Sequence, residues 1–470
     1  MCHSFGGSGN WFGNATLRNL LYGVDARPPL AKAGLAALAH LLAIVASIAT
    51  APLLIAGGLG LDQPTTLYVV ASALVVSGAA TLLQCVGVGP FGSRLLSIQG
   101  TSFAFIGAMI LGGQMLTTQG AHEAERLGIL LGSAATAALL TVLVGHQIRR
   151  VSAVLTPTVA GVTIVLLGLT LVQAAFSNGT FAWQQAAAAG AAGWEVPLQA
   201  VVVVLVILGL SASSNPWVRL SSIFVALVVG TLVAAMTTGV AAAQPAEFLS
   251  VPRILPFSLG FDVWVFLLML PIFLVTIAES VGDLTATSSL SGFETGSPAY
   301  WRQVRGGVMA DGVNTVLAAL FGTFPNTTFS QNNGVIRMTG VASRFVGGLV
   351  AIMLLLFGLL PQVAAWFQTI PGGVLHSATG VLFAMIAWTG WQLLQSQPDP
   401  RAATRRLLVC GVIAFGASAL PPLGAQVGVN LPPVVSLMLG FPVATGALAA
   451  LLLEWRTLRT ERTPLGEPRA

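Results

Sequence analysis

The sequence predicts an all-α polytopic membrane protein: fourteen transmembrane segments as 7+7 inverted repeats, with short β-strands in segments 3 and 10. Three observations carry this reading. Of 470 residues, 55% are hydrophobic and only 7% are charged, against about 25% charged in a soluble domain. Apolar runs long enough to cross about 30 Å of hydrocarbon as helix recur along the chain. Two segments are abnormal, and they fall at matching positions of two halves. The composition excludes a soluble globular enzyme, a disordered chain and a disulfide-stapled secreted module. The net charge of +5 is too small and too dispersed for nucleic-acid binding.

The regular runs lie near 32–58, 66–88, 126–146, 152–175, 196–212, 218–241, 262–290, 303–322, 342–367, 375–396, 402–420 and 433–454. The abnormal ones are 95–117, which begins LLSIQGTSFAFIGAMI, and 323–341, TFPNTTFSQNNGVIRMTGV. Both begin with polar and β-prone residues and continue into a short apolar stretch. Counting them gives fourteen spans, and charge tests the count. With the N-terminus inside, 18 of the 20 basic residues fall in inside segments; only Arg126 and Arg253 fall outside. That is the asymmetry of the positive-inside rule, and a wrong count would scramble it downstream of the error. Both termini are therefore expected in the cytoplasm. The abnormal segments become the third and tenth spans. Seven is odd, so the second set of seven enters with opposite topology, the pattern of an inverted-repeat transporter with its site near the midplane.

The ends and the cysteines add little. Met1 to Leu30 is polar and Gly-rich, without an apolar core, and is not read as a signal peptide. Cys2, Cys85 and Cys410 lie far apart, with no CxxC. Cys85 and Cys410 sit in apolar runs and read as small packing residues.

An ionisable residue at the centre of a span costs at least about 2.5–3.5 kcal/mol on insertion scales. Few are present: His40 in span 1, Glu279 and Asp283 in span 8, and Asp311 in span 9. Asp262 and His376 lie near span ends and are weaker candidates. Glu279 and Asp283 are four residues apart and share one helix face. Two carboxylates so close in a low dielectric cannot both ionise cheaply, which suits groups that take up and release a proton or grip a polar ligand. The plainer reading is a buried acid satisfied by amides or hydroxyls, and Asp283 and Asp311 are open to it. A lone histidine on an apolar helix is often a packing residue, but His40 could orient a carboxylate or hydroxyl partner.

Asn326 to Gly334 reads NTTFSQNNG. Such polarity at membrane depth is tolerated only where it is buried in protein or lines a cavity. It suggests a short strand running into a half-helix, with Thr101-Ser102-Phe103 as the partner strand. Two half-helix N-termini would then meet near the midplane, each offering free N–H groups and partial positive charge. Gln331 offers an amide donor and acceptor for the –NH–C=O edge of a heterocycle. Phe103 could stack on a flat ring. No phosphate-binding Gly loop, HExxH motif or nucleophile elbow is present, and an enzyme is not expected. His122, Glu123 and Glu125 read as a solvated cluster in an outside loop.

These residues resemble a known family, the nucleobase–ascorbate transporters, also called nucleobase:cation symporter-2. The family signature has Gln or Glu, Asn, any residue, Gly, four residues, Thr, then Arg, Lys or Gly. Here it stands as Gln331-Asn332-Asn333-Gly334, Val335 to Met338, Thr339-Gly340. The stretch around it is similar to bacterial xanthine and uric acid permeases. Glu279 in AESVGD matches the substrate-binding glutamate, and Asp283 the second polar position of that motif. Asp311 in MADG, His40 and Ser102-Phe103 match further family positions, and the resemblance spans about residues 20 to 455. Arg337, inside the variable stretch, is a departure that adds a charge near the cytoplasmic end.

The resemblance implies a core domain (31–147 and 261–368, segments 1–4 and 8–11). It implies a gate domain (148–260 and 369–455, segments 5–7 and 12–14) between a cytoplasmic segment 1–30 and a tail 456–470. It further implies an inner-membrane homodimer with elevator-like movement, importing xanthine or uric acid with a proton and needing no cofactor or metal. Gln331, where uracil-type members carry Glu, looks like the purine type. The expected substrate contacts are Glu279, Gln331, Phe103, Ser102, Asn332 and Gly334. Asp311, Asp283 and His40 are expected to tune protonation and support the core. The alternatives are uracil or another nucleobase as cargo, or an anion transporter of the same fold, against which the acidic Glu279 argues.

Overall fold

The structure is a computed structural model and describes residues 20–151, 156–240, 248–426, 431, 435–436 and 439–462. Cys2, Arg18, Arg469, much of the first part of span 14 and the end of the tail lie outside the described residues.

In chain order, the elements of the first half are α1 (Leu30–Leu59), α2 (Gln63–Val86), β1 (Gln99–Thr101), a 3₁₀ turn (Phe103–Phe105), α3 (Ile106–Thr118), α4 (Glu123–His146), α5 (Ile148–Val151), α6 (Pro157–Ala188), α7 (Glu195–Ser211), α8 (Pro216–Leu220) and α9 (Ser222–Thr237). The second half holds α10 (Val263–Leu290), α11 (Pro298–Leu320), β2 (Asn326–Thr328), α12 (Gln331–Thr339), α13 (Arg344–Leu359), α14 (Pro361–Gln368), α15 (Gly372–Gln395), α16 (Pro400–Gln426) and α17 (Pro442–Arg462). Seven of the described helices (α1, α2, α4, α6, α10, α15 and α16) are long and apolar enough to cross a bilayer. The pair α13 and α14, bent by 74°, qualifies when taken together. The chain is a multi-pass membrane protein.

Helix starts follow local chemistry. Asp62 accepts from the Thr65 N–H at 2.7 Å and caps α2. Asp262 accepts from the N–H groups of Trp264 and Val265, both at 2.9 Å, and caps α10. Asp262 is thus a helix cap, satisfying amides that the first turn leaves without partners. Thr156, Asn215 and Ser297 each precede a proline at the first turn of α6, α8 and α11, where the missing N–H costs nothing. The apolar run of span 5 was expected to end near 175, yet α6 continues to Ala188. Its extension, FSNGTFAWQQAAA, is rich in Ala and Gln and holds no proline, so nothing stops the helix.

The helices pack in preferred pairs: α2 with α13, α4 with α11, α6 with α15, α7 with α9 and α16 with α17. The α6–α15 contact is a backbone approach. A Cβ on Gly168 would lie 2.4 Å from the Ala387 nitrogen, and one on Gly390 would lie 2.7 Å from the Val165 nitrogen. Small residues permit this close packing where apolar burial alone gives no preference over lipid.

The strands β1 and β2 pair antiparallel, with Gln99 opposite Thr328, Gly100 opposite Thr327 and Thr101 opposite Asn326. The first strand therefore sits two residues before the expected Thr101-Ser102-Phe103. Ser102 donates its N–H to the Pro325 carbonyl at 2.8 Å, and the chain turns into the 3₁₀ helix at Phe103. The shift has a packing cause. A Cβ on Gly100 would lie 2.1 Å from Phe329 Cε2, so only glycine lets that ring cross the strand.

Candidate functional site

Six elements converge on a cavity with about 40 Å³ of open space, enough for a few water molecules but not for a bicyclic base. Phe103 enters from the 3₁₀ turn; Glu279 and Asp283 from α10; Thr327 and Phe329 from β2 and its exit; Ser330 and Gln331 from the start of α12. The opposite wall is Ile164 and Leu167 of α6 with Ile386 and Thr389 of α15. One wall is thus polar and acidic, and the other is almost wholly apolar.

The polar groups on this wall differ in how they are engaged. Among the described residues, neither the Glu279 carboxylate nor the Gln331 amide is taken up by a hydrogen bond. One oxygen of Asp283, Oδ2, is buried without a hydrogen-bond partner among the described residues. The Asp283 carbonyl instead accepts from Thr287 at 2.9 Å and from Asn333 Nδ2 at 3.3 Å. Thr287 in turn donates to Asn333 Oδ1 at 2.6 Å, tying α10 to α12. Phe103 is 5% exposed and packs edge-on against Phe383 of α15, centroids 5.3 Å apart, and obliquely on Phe329 at 6.1 Å.

Asp311 lies behind this surface. Its Oδ1 accepts from Gln84 Nε2 at 2.8 Å, its Oδ2 from the Ser280 hydroxyl, and both oxygens from Thr328 at 3.4 Å. Gln99 donates to Thr328 at 2.9 Å, and Ser280 meets Thr327 at 3.3 Å. The network joins α2, α10, α11 and both strands, and it is buried throughout. Glu279 is within electrostatic reach of Asp311, and Asp283 of both. This arrangement can hold two polar strand segments in a fixed register and present one acid and one amide to a flat polar ligand.

The remaining expected residues lie beside the cavity rather than on it. His40 is fully buried next to Asn332, with neither ring nitrogen at hydrogen-bonding geometry among the described residues. Its neighbour is an amide, where a carboxylate or hydroxyl was expected. Asn332 donates to the Leu96 carbonyl at 2.6 Å, which pins α12 to the loop before β1. Ser102 is buried at the strand end, and Gly334 is exposed on α12. Arg337 is exposed in the last turn of α12, where a cation suits the helix C-terminus. Sequence reasoning singled out the segment that holds Thr328 and Asn333 but missed Gln84, Gln99 and Ser280. These three are neutral polar residues inside or flanking apolar runs, a signal that a search for ionisable residues passes over.

A second cavity, of about 670 Å³, shares Leu167 with the first. It lies between α1 and α3 on one side and α6 and α15 on the other, with Gln114, Gln173, Asn178, His376 and Phe383 among its walls.

Residues 31–423 match the family model Xan_ur_permease, described as Permease family. The chain is 36% identical over 447 residues to xanthine permease XanP of Escherichia coli (strain K12), covering 92% of this chain and 94% of that one. It is 33% identical over 448 residues to xanthine permease XanQ of the same organism, covering 93% of each. It is 28% identical to the uric acid-xanthine permease of Emericella nidulans, covering 85% of this chain and 75% of that one. Among solved structures, the fold is similar to the transmembrane domain of the cyanobacterial bicarbonate transporter BicA. That match has a TM-score of 0.57 and 15% identity, covering 91% and 99% of the two chains. It is also similar to SLC26A9, with a TM-score of 0.55 and 13% identity over 88% and 65%.

Proposed function

The chain belongs to the nucleobase–ascorbate transporter family, nucleobase:cation symporter-2, and from that premise we propose that it imports a purine nucleobase, xanthine or uric acid, with a proton. The observation that carries the reading is the placement of Glu279 and Gln331 on one polar wall of the same cavity, with neither side chain taken up by a hydrogen bond among the described residues. A carboxylate and an amide together match the alternating N–H and C=O groups of an oxidised purine edge. Phe103 and Phe329 supply apolar ring faces beside them. Asp311 holds the strands, and Asp283 and Glu279 carry the coupling proton. Three carboxylates within electrostatic reach in a low dielectric suit a site that gains and loses charge during a cycle.

The fourteen-segment, inverted-repeat reading has support in the packing. Exchanging the halves turns the α2–α13 pair into α11–α4, and α7–α9 into α16–α17. The same exchange maps α6–α15 and β1–β2 onto themselves. A two-fold repeat produces such a map. Segments 1–4 and 8–11 would form the core, and segments 5–7 and 12–14 the gate. Movement of core against gate is supported by the small volume of the cavity between them, which must widen to admit a base. The larger cavity beyond Leu167 and the Phe103–Phe383 pair would be the approach from outside. An inner-membrane homodimer with both termini cytoplasmic completes the proposal.

The fold neighbour named as a bicarbonate transporter, and a murine Slc26a9 structure named as an anion transporter (TM-score 0.54, 15% identity), favour a second reading, anion transport. The cavity wall speaks against it, since it holds two acids and, among the described residues, no Lys, Arg or His. The test is radiolabelled uptake in cells lacking their own purine permeases, with xanthine, uric acid and uracil at equal concentration. Saturable uptake of xanthine or uric acid, abolished by a protonophore in sodium-free buffer, is expected. Uptake of uracil alone would remove the purine assignment, and accumulation that persists with the protonophore would remove proton coupling.

A further inference from the structure

We propose a second binding site, for a phosphoryl-bearing small molecule, where the α2–β1 loop meets the starts of α11 and α13. A cavity of about 490 Å³ lies there. Four arginines from three separate chain segments line it: Arg94 from the loop, Arg302 and Arg305 from α11, and Arg344 at the start of α13. Asp25 is the single acid on its wall, paired with Arg344 at 2.7 Å. An excess of three positive charges around one concavity exceeds what topology demands. The positive-inside rule asks for arginines on one side of the membrane, not for their convergence.

The loop is built to hold this charge. Arg94 stands at φ 59°, a left-handed backbone that a non-glycine residue adopts only when its surroundings impose it. The surroundings are explicit. Arg94 N–H donates to the Gln84 carbonyl at 2.7 Å, Ser93 N–H to Gln84 Oε1 at 2.9 Å, and Gly92 N–H to the Gly306 carbonyl at 2.8 Å. A Cβ on Gly92 would lie 2.4 Å from the Leu83 carbonyl oxygen, so the turn accepts only glycine there. With most loop amides engaged, anion recognition falls to the guanidinium groups. One already shows an unmet donor: Arg305 bonds His146 Nδ1 at 2.6 Å, while its Nε is buried with no partner among the described residues.

Planar guanidinium forks match phosphate oxygens in pairs, which lysine does not do. The cavity is larger than one phosphate needs, and Phe293 and Pro90 offer an apolar flank. The occupant is therefore a phosphomonoester with an apolar or flat remainder. Gln84 links this site to the other one. Its Oε1 holds the loop, and its Nε2 holds Asp311 at 2.8 Å. An occupant that shifts the loop bears directly on the strand network.

The test uses the full chain purified into zwitterionic phosphatidylcholine nanodiscs, with inorganic phosphate and phenyl phosphate as probes. Saturable binding of both is expected, tighter for phenyl phosphate. Arg302→Gln, at an exposed position, should weaken both about tenfold, the loss of one charge-assisted hydrogen bond. Glu279→Gln should leave both unchanged, which separates this site from the nucleobase site. Weaker phosphate binding in discs containing phosphatidylglycerol would assign the arginines to a lipid headgroup and overturn the small-molecule occupant; equal binding is expected for a soluble phosphomonoester. Absence of saturable binding, or parent-like affinity in both Arg302→Gln and Arg94→Gln, would overturn it.

Discussion

Glu279 and Asp311 are both buried acids in transmembrane helices, and the two are engaged in opposite ways. Asp311 accepts from Gln84, Ser280 and Thr328, so its carboxyl oxygens are engaged by side chains of other elements. Glu279 lines the cavity, and no hydrogen bond from a described residue reaches its carboxylate. On the proposed function, the same functional group is a structural hub in one place and would be a ligand grip in the other. What distinguishes them is the number of donors already committed.

The comparison can be broken by substitution, beginning where the effect is largest. Glu279→Gln and Gln331→Ala should each lower purine uptake by about ten- to a hundredfold, since a buried group facing the ligand loses a charged or paired bond of roughly 1.5–3 kcal/mol. Membrane abundance measured alongside should stay at the parent level. Normal uptake in either variant would remove that residue from the site.

Asp311→Ala should act on the fold instead. It strands the donors of Gln84, Ser280 and Thr328, each costing about 1–3 kcal/mol when buried without a partner. A lowered thermal midpoint and reduced folded protein in detergent are expected. Parent-like stability with lost uptake would move Asp311 from hub to ligand contact.

Gly100→Ala is the next smaller effect. The new methyl must displace the Phe329 ring that lines the cavity. Overpacking of this kind costs about 1–3 kcal/mol, and KM should rise with it. An unchanged KM would detach Phe329 from the binding surface. Smallest of all, Ile386→Ala trims the apolar wall opposite Glu279. It should change KM by less than about tenfold and admit bulkier bases. A complete loss of transport would mean that α15 does more than line the site.

Much of this was legible in the sequence. The apolar runs and the uneven arginines carried the membrane reading, because lipid imposes composition directly. Glu279 and Gln331 stood out because they interrupt apolar or β-prone stretches. The strand register did not, since the place of β1 depends on Phe329 crossing Gly100, a contact across more than two hundred residues. Gln84 was passed over because it is neutral, although a buried amide that bridges a loop and a carboxylate is as constrained as a charge. The opposite wall was invisible: Ile164, Leu167 and Ile386 are apolar residues among apolar residues, and only the fold singles them out.

The central claim, that committed donors separate hub from grip, has one direct measurement. Xanthine binding and thermal unfolding would be measured together on purified Glu279→Gln and Asp311→Asn proteins. The account predicts that Glu279→Gln loses xanthine binding at an unchanged unfolding midpoint, and that Asp311→Asn lowers the midpoint while its folded fraction still binds xanthine. Binding retained by Glu279→Gln, or lost by fully stable Asp311→Asn, would contradict it.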